Sequence, residues 1–200
     1  MVTPERAGRQ LRSAMRPLEM READGAKHIR GYFVVFDDAY QLCEGVTESI
    51  DRNAFAECLS NDVRCLTDHD TRLVLGRSKA GTFSWGVDSF GVWGDALINE
   101  DDTDAMNTYA RAKRGDVDQG SFGFDILDEE REIRADGSVH YTIRKVELYE
   151  MSLVTFPAYE RTSVSARAAD AETRIRRREH AAWLARNLGR LKNGTQTAQT

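Results

Sequence analysis

The sequence has no apolar run long enough to cross a membrane and no set of paired cysteines. No segment approaches the roughly 20 apolar residues that a membrane-spanning helix needs, and the N-terminus lacks the apolar stretch of a secretory signal. We therefore expect a chain that starts in a cytoplasm. Cys43, Cys58 and Cys65 are an odd number without CxxC spacing, which argues against both a disulfide framework and a zinc site.

Charge is distributed unevenly along the chain. The formal net charge is −5, yet the last third contains the basic run TRIRRREHAAWLARNLGRLK. Residues 170–192 there predict an amphipathic helix, with Ala181, Leu184, Leu188 and Leu191 at spacings of three and four. The core lacks an aromatic and basic groove pattern, so we expect no nucleic-acid partner. The tail, residues 167–200, is expected to have a separate role.

Between the ends, the pattern is that of a mostly β protein with flanking helices. Residues 18–37 predict a hairpin, glycine-broken strands follow, and Asp136 with Gly137 is a strong signal for a second hairpin. The segment NEDDTDAMNTYARAKRG predicts a helix that complements its own dipole. A shorter helix is predicted from Asp51, which would place Phe55 and Leu59 on one face. Meanders of this kind are typical of antiparallel sheets and barrels.

The segment DVDQGSFGFDILDEE places Ser121 between Gly120 and Gly123, inside an alternating strand pattern. Glycine within a strand is ordinarily a sign of a bulge or of a close approach by another chain segment. The alternative is that Ser121 is a nucleophile that small neighbours leave accessible to a substrate and a base.

One of the four histidines has surroundings that suggest chemistry. His69 ends a predicted strand, between Asp68 and Asp70, which could orient its ring. A surface histidine with ionic partners would give the same pattern. A metal site built from these three residues is disfavoured, because three neighbours on an extended strand cannot all point at one ion.

An acid occurs within an apolar row in the segment VELYEMSLVTFPAY. On a strand, Glu150 shares a face with Leu148 and Ser152, and a carboxylate there is costly unless it is paired. A histidine partner would make it functional. A plain alternative is an ion pair with Arg144 or Arg161.

Together, Ser121, His69 and Glu150 supply the nucleophile, base and orienting acid that a serine hydrolase needs. Their order along the chain is His, Ser, Glu, and there is no G-x-S-x-G elbow between a strand and a helix. This order matches neither that of the α/β-hydrolases nor that of subtilisin, so an unrelated, mostly β protease scaffold is favoured.

From about residue 18 to residue 166, the sequence resembles the prohead proteases of tailed bacteriophages, which share their core with herpesvirus assemblins. The resemblance rests on GYFVVFD, IDRNAF, DHD followed by VLGR, QGSFGF, and ELYEMSLVTFPAY with TSVSARA, in the family's order. It implies an antiparallel β-barrel protease domain over residues 18–166, preceded by an N-terminal extension, residues 1–17. It also places the catalytic residues at His69, Ser121 and Glu150.

The resemblance further implies an endopeptidase without a cofactor that works inside the assembling prohead, in the host cytoplasm. Its substrates would be scaffold segments, the major capsid protein and often the protease itself, and self-association is expected. Assemblins use a second histidine where phage relatives use an acid, so His140 is an alternative third member, and Glu147 and Asp68 are others. An inactive assembly protein that retains the protease fold is the second functional hypothesis.

Overall fold

The computed structural model describes residue 6 and residues 8–14, 17–23 and 25–156. Its elements are, in order, β1 (Arg9–Ala14), β2 (Glu19–Ala23), β3 (Ala26–Val35), β4 (Tyr40–Cys43), β5 (Val46–Ile50), β6 (Arg64–Thr67), β7 (Asp70–Arg77), a 3₁₀ turn (Ser78–Ala80), β8 (Phe83–Val87), β9 (Gly91–Leu97), α1 (Thr103–Arg114), β10 (Gln119–Ile133) and β11 (Val139–Val154). The predicted tail helix, residues 170–192, and the whole tail, residues 167–200, lie outside the described residues.

The strands form two sheets. The larger sheet has the order β1, β10, β11, β5, β4, and β6 joins it by pairing with β11 on one side and β7 on the other. The smaller sheet has the order β2, β3, β9, β8. Strand β11 is long enough to pair with β5 along its first half and with β6 along its second half, in parallel in both cases.

The barrel and the short helix predicted from Asp51 are both wrong. In the described part of the chain the strands form two separate sheets with no closed barrel, and two pairings are parallel, so the sheet is not purely antiparallel. Residues 52–60 form a series of turns that the bonds Ala54 N to Asp51 O and Cys58 N to Phe55 O help to close. Phe55 is buried whereas Leu59 is 54% exposed, so the two do not share the buried face that a helix would give them.

Two other predictions are confirmed. Helix α1 begins after Asp102, whose side chain accepts hydrogen bonds from two first-turn amides, and it ends at Gly115, which has a positive φ of 88°. The turn at Asp136 and Gly137 joins β10 to β11 as an antiparallel hairpin. This long hairpin carries two of the three candidate catalytic residues.

The core beneath the hairpin is aromatic. Phe122 stacks on Phe124 with ring centroids 4.6 Å apart, and Phe55 packs edge-on against Phe122 at 6.2 Å. Phe33, from β3 of the smaller sheet, lies against Gly120. Because these rings are fully buried or nearly so, they hold the strand that carries Ser121 rigidly in place.

Candidate active site

Strand pairing brings Ser121 close to Glu150. In the ladder between β10 and β11, Ser121 lies opposite Ser152, and Gly123 lies opposite Glu150. Side chains on one face of a sheet repeat every second residue, so Ser121 and Glu150 project from the same face of neighbouring strands. The sequence alternation that placed Glu150 in an apolar row is the reason for this arrangement.

His69 reaches this face from the turn that connects β6 to β7. Asp68 and His69 both have positive φ angles, 51° and 60°, which non-glycine residues seldom adopt. The Asp68 carboxylate accepts hydrogen bonds from the Thr155 amide at 2.8 Å and the Thr155 hydroxyl at 3.1 Å, and the Asp68 amide donates to Leu153 O. These bonds tie the turn to the end of β11 and stabilise an otherwise unfavourable backbone.

The three side chains form one hydrogen-bonded chain. His69 Nε2 lies 2.9 Å from Ser121 Oγ, and His69 Nδ1 lies 2.7 Å from Glu150 Oε1. The His69 side chain is 19% exposed and that of Glu150 is 6% exposed, so the acid is more shielded than the base. An imidazole between a hydroxyl and a carboxylate can take the serine proton and be stabilised as it becomes charged.

The second oxygen of Glu150 also has a partner. Ser152 Oγ donates to Glu150 Oε2 at 2.5 Å, and Ser152 is fully buried. A buried carboxylate needs donors to remain stable, and here each oxygen meets one. The sequence pattern gave no direct signal for Ser152, although its place two residues after Glu150 on the same face could have suggested the contact.

The two glycines that flank Ser121 are each required by a different neighbouring side chain. A Cβ atom at Gly123 would collide with the carboxylate of Glu150, and a Cβ atom at Gly120 would lie 2.9 Å from the ring of Phe33. Gly120 therefore lets the smaller sheet approach, which is the close-packing interpretation of the pattern. Gly123 leaves room for the Glu150 carboxylate, so this second glycine is required by the candidate active site itself.

The alternative third members lie elsewhere. His140 bonds Thr47 Oγ1 at 2.8 Å and Ser49 Oγ at 2.9 Å, and Glu147 accepts from Asn61 at 2.9 Å. Asp68 is bound to Thr155, as described above. The proposed ion pair between Glu150 and Arg144 is not formed, because Arg144 contacts Asp51 and Glu130 instead.

The aspartates and histidine of the DHD motif contact different groups. Asp70 binds the Arg72 guanidinium, which holds the pKa of the Asp70 carboxyl down at about 2. Asp68 and His69 have the partners given above. Their side chains therefore do not converge on one point, although Asp68 and His69 lie in a turn and not on the extended strand that the sequence suggested.

Strand β1 covers the serine. It pairs antiparallel with β10, with Ser13 opposite Ser121, and Ser121 Oγ donates to the backbone oxygen of Arg12 at 2.8 Å. Ser121 is completely buried as a result. A hydroxyl has one hydrogen, so a bond to Arg12 O leaves His69 Nε2 able to meet Ser121 only as a donor. That proton arrangement is the reverse of the one a general base requires.

An ionic cluster that the sequence did not predict anchors β1. Glu48 on β5 is fully buried and binds the guanidinium groups of Arg6 and Arg12, and Arg6 also binds Glu129. Burial raises the pKa of the Glu48 carboxyl, but the charges and hydrogen bonds of Arg12 and Arg6 outweigh burial, so the pKa lies below its usual value. The carboxylate is therefore ionised at neutral pH.

A serine, a histidine and a carboxylate in one hydrogen-bonded chain on a mostly β scaffold form the arrangement of a serine hydrolase. The family profile described as Caudovirus prohead serine protease matches residues 16–176. The chain belongs to this family of serine proteases, which act in phage capsid assembly.

A solved structure supports the fold. The structure of the bacteriophage T4 capsid assembly protease, gp21, matches with a TM-score of 0.51 at 11% sequence identity, covering 74% of this chain and 98% of that chain. At this identity the likeness concerns the fold alone. No curated protein matches the sequence. Within the described residues, no helix has the length and apolar character needed to span a membrane.

Proposed function

We propose that the protein is an endopeptidase that cleaves scaffold or capsid-protein segments, and itself, inside a phage prohead during capsid maturation. Ser121 is the nucleophile, His69 the general base and Glu150 the orienting acid. The observation that carries this proposal is the unbroken chain of hydrogen bonds from Ser121 Oγ through the His69 ring to Glu150. Family membership supplies the class of substrate.

The mechanism is acyl transfer. His69 takes the proton of Ser121 as Oγ attacks the substrate carbonyl carbon, and then gives that proton to the leaving amine. Glu150 holds the His69 ring with Nδ1 toward the carboxylate and stabilises the imidazolium. A water molecule then hydrolyses the acyl-enzyme, which restores Ser121.

Each part of the chain has a proposed role. Residues 18–166 form the protease domain, residues 1–17 an N-terminal extension, and residues 167–200 a basic tail that binds other components of the shell. The protein works in the host cytoplasm, within the assembling particle, and associates with itself. Cleavage of its own chain is supported by the position of Arg12, whose backbone carbonyl oxygen accepts a hydrogen bond from Ser121 Oγ.

Co-expression with the capsid protein of the same phage tests the proposal. Intact-mass spectrometry should find a shortened capsid protein or a shortened protease with the natural sequence, and full-length chains of both with Ser121→Ala. If neither polypeptide is shortened, or if both are shortened equally with Ser121→Ala, the protein is instead an assembly factor that retains the protease fold.

A further inference from the structure

Strand β1 occupies the position that an extended peptide substrate would take. It adds to the edge of β10 as an antiparallel strand, from Arg9 opposite Asp125 to Ala14 opposite Gly120. Proteins commonly bind extended peptides by adding a strand to a free sheet edge in this way. The nucleophile lies within this ladder, so the occupant of the edge runs beside Ser121, and its backbone comes within hydrogen-bond distance of Ser121 Oγ.

The alignment of β1 on Ser121 selects one peptide bond. The carbonyl oxygen that Ser121 Oγ contacts belongs to Arg12, and Ser13 is the residue opposite Ser121. The bond nearest the nucleophile is therefore the one that joins Arg12 to Ser13. Arg12 corresponds to the residue that precedes the scissile bond in a substrate.

The side chain of that residue enters a buried acidic position. Arg12 Nε lies 2.7 Å from Glu48 Oε1 and Arg12 NH2 lies 3.1 Å from Glu48 Oε2, a two-point contact that suits a guanidinium. The Arg12 guanidinium also lies over the ring of Phe124, 5.9 Å from its centroid. Both Arg12 and Glu48 are buried.

The partners of the Glu48 carboxylate come from the N-terminal segment. They are Arg12 on β1 and Arg6 just before it. A buried carboxylate that loses its cations is strongly destabilised, because its charge is neither hydrated nor paired. When residues up to Arg12 depart, Glu48 is left as a receptor for a positively charged side chain.

We propose that Glu48 is the specificity-determining residue of this protease, and that it selects arginine or lysine immediately before the scissile bond. The inference rests on the proposed protease function. An acidic side chain at that position is rejected, because it would lie against the buried carboxylate of Glu48. The substrates are peptide segments that bind to β10 in an extended conformation and are cleaved directly after an arginine or a lysine.

Self-processing is then cleavage of the bond between Arg12 and Ser13. The Ser121 hydrogen first turns from Arg12 O to the unprotonated Nε2 of His69. Ser121 Oγ then attacks the Arg12 carbonyl carbon while its proton passes to His69, and the C–N bond breaks as that proton moves to the Ser13 nitrogen. Water hydrolyses the resulting ester, which leaves a carboxylate on Arg12 and restores the Ser121 hydroxyl. The products are a peptide of residues 1–12 and a chain that begins at Ser13.

Two peptides test the selectivity with the full-length protein. The first has the chain's own residues 9–18, RQLRSAMRPL, and the second is the same peptide with citrulline, the neutral analogue of arginine, at position 12. We expect kcat/KM for the citrulline peptide to be lower by at least about 100-fold, the scale set by losing hydrogen bonds to a charged group. A peptide with citrulline at position 9 is the control and should be cleaved like the first.

A matched pair of variants assigns the effect to Glu48. Glu48→Gln should lose the discrimination between arginine and citrulline, whereas Glu129→Gln should keep it, since Glu129 is a buried acid that binds the Arg6 guanidinium. Thermal denaturation checks that each variant is folded. If Glu48→Gln does not fold, the wild-type comparison of the two peptides still decides the question.

A protein substrate tests the protease function and the selectivity of Glu48 separately. Reduced, carboxymethylated serum albumin is incubated with wild type and with Ser121→Ala, and the cuts that depend on Ser121 are mapped by mass spectrometry. Cuts that follow arginine or lysine support the role of Glu48. Cuts without that preference, or equal cleavage of the arginine and citrulline peptides, overturn it and leave the protease function standing. If no cut in albumin or peptide depends on Ser121, both proposals are wrong.

Discussion

Strand β11 contains one histidine, His140, and carries the acid that binds another, His69, and the two rings have different partners. His140, near the start of β11, is held between the hydroxyl groups of Thr47 and Ser49. His69, near the other end, lies between the Ser121 hydroxyl and the Glu150 carboxylate. His69 therefore has a buried carboxylate as a partner, whereas the two ring nitrogens of His140 meet only hydroxyl groups.

The backbone explains the difference. His140 lies in the regular ladder between β11 and β5, opposite Thr47, so its neighbours are the hydroxyls of an adjacent strand. His69 lies in a turn with a left-handed conformation, held by Asp68, which aims its ring across the sheet at two strands. A strained turn that the surrounding structure holds in place is a common feature of active sites.

Replacing the nucleophile should have the largest effect. In Ser121→Ala, His69 keeps its acid but has no hydroxyl to activate, so kcat should fall by about 10³ to 10⁶. Rates of capsid-protein cleavage, measured by quantitative mass spectrometry, provide the test. Because the substitution removes only the hydroxyl oxygen and leaves the Cβ atom and the backbone in place, the melting temperature should change little.

Replacing Glu150 with a neutral side chain should leave His69, like His140, with only uncharged partners. Glu150→Gln keeps the shape of the side chain but cannot stabilise an imidazolium, and a loss of about 10⁴ in kcat is the scale for such a change. Glu147→Gln, three residues away and bonded to Asn61, is the control and should retain activity. Equal losses in the two variants would show that Glu150 does not belong to the catalytic group.

Displacing the acid without changing it should have a smaller effect. Gly123→Ala introduces a Cβ atom that collides with the Glu150 carboxylate, so the acid must shift away from His69. A displacement of about 1 Å costs about 10²-fold in rate. Single-turnover cleavage measures this loss, and full activity in the folded variant would contradict the role given to Gly123.

Removing the second donor to Glu150 should have a moderate effect. Ser152→Ala deletes the hydrogen bond at 2.5 Å but leaves the bond to His69 in place. Loss of a hydrogen bond to a charged group corresponds to about 1.5 to 3 kcal/mol, and we expect about a tenfold decrease in kcat with KM unchanged.

Ser49→Ala is the matched control for this variant. It removes a hydroxyl from His140 in the same way that Ser152→Ala removes one from Glu150. Its kcat and KM should match those of the wild type. An equal decrease in kcat in both variants would indicate a general effect of the sheet rather than a specific effect on the acid.

Substitution of His140 should have the smallest effect on catalysis. His140→Gln keeps polar contact with Thr47 or Ser49, and the cost should fall within the range of about 0.5 to 3 kcal/mol in stability that is usual for single substitutions. Activity per folded molecule should be unchanged. A loss comparable with that of Glu150→Gln would instead make His140 the third catalytic member, as in the assemblins.

Local features of this chain were predictable, whereas pairings between distant segments were less so. The acid-rich start and Gly115 end of α1, and the Asp136 and Gly137 turn, act through neighbouring residues, which the sequence displays. The parallel pairing of β11 with β5 and β6 joins segments far apart in the chain, so alternation alone suggested an antiparallel barrel.

The same distinction between local and distant contacts applies to the residues of the site. Ser121, His69 and Glu150 could be named because a serine between glycines, a histidine between acids and an acid in an apolar row are each unusual. Glu48 shares a strand face with Val46 and Ile50, so it too is an acid in an apolar row, but this alternation does not identify its partners. Its role depends on Arg6 and Arg12, whose approach only the folded structure reveals.

The most direct test of the account is covalent labelling of the nucleophile. Protease recovered from a co-expression in which the capsid protein has been cleaved is treated with a fluorophosphonate, which reacts with activated serines, and its peptides are mapped. The account predicts one adduct, on Ser121, that is absent in His69→Ala. An active preparation that carries no label on Ser121, or carries it on another serine, would contradict the central claim.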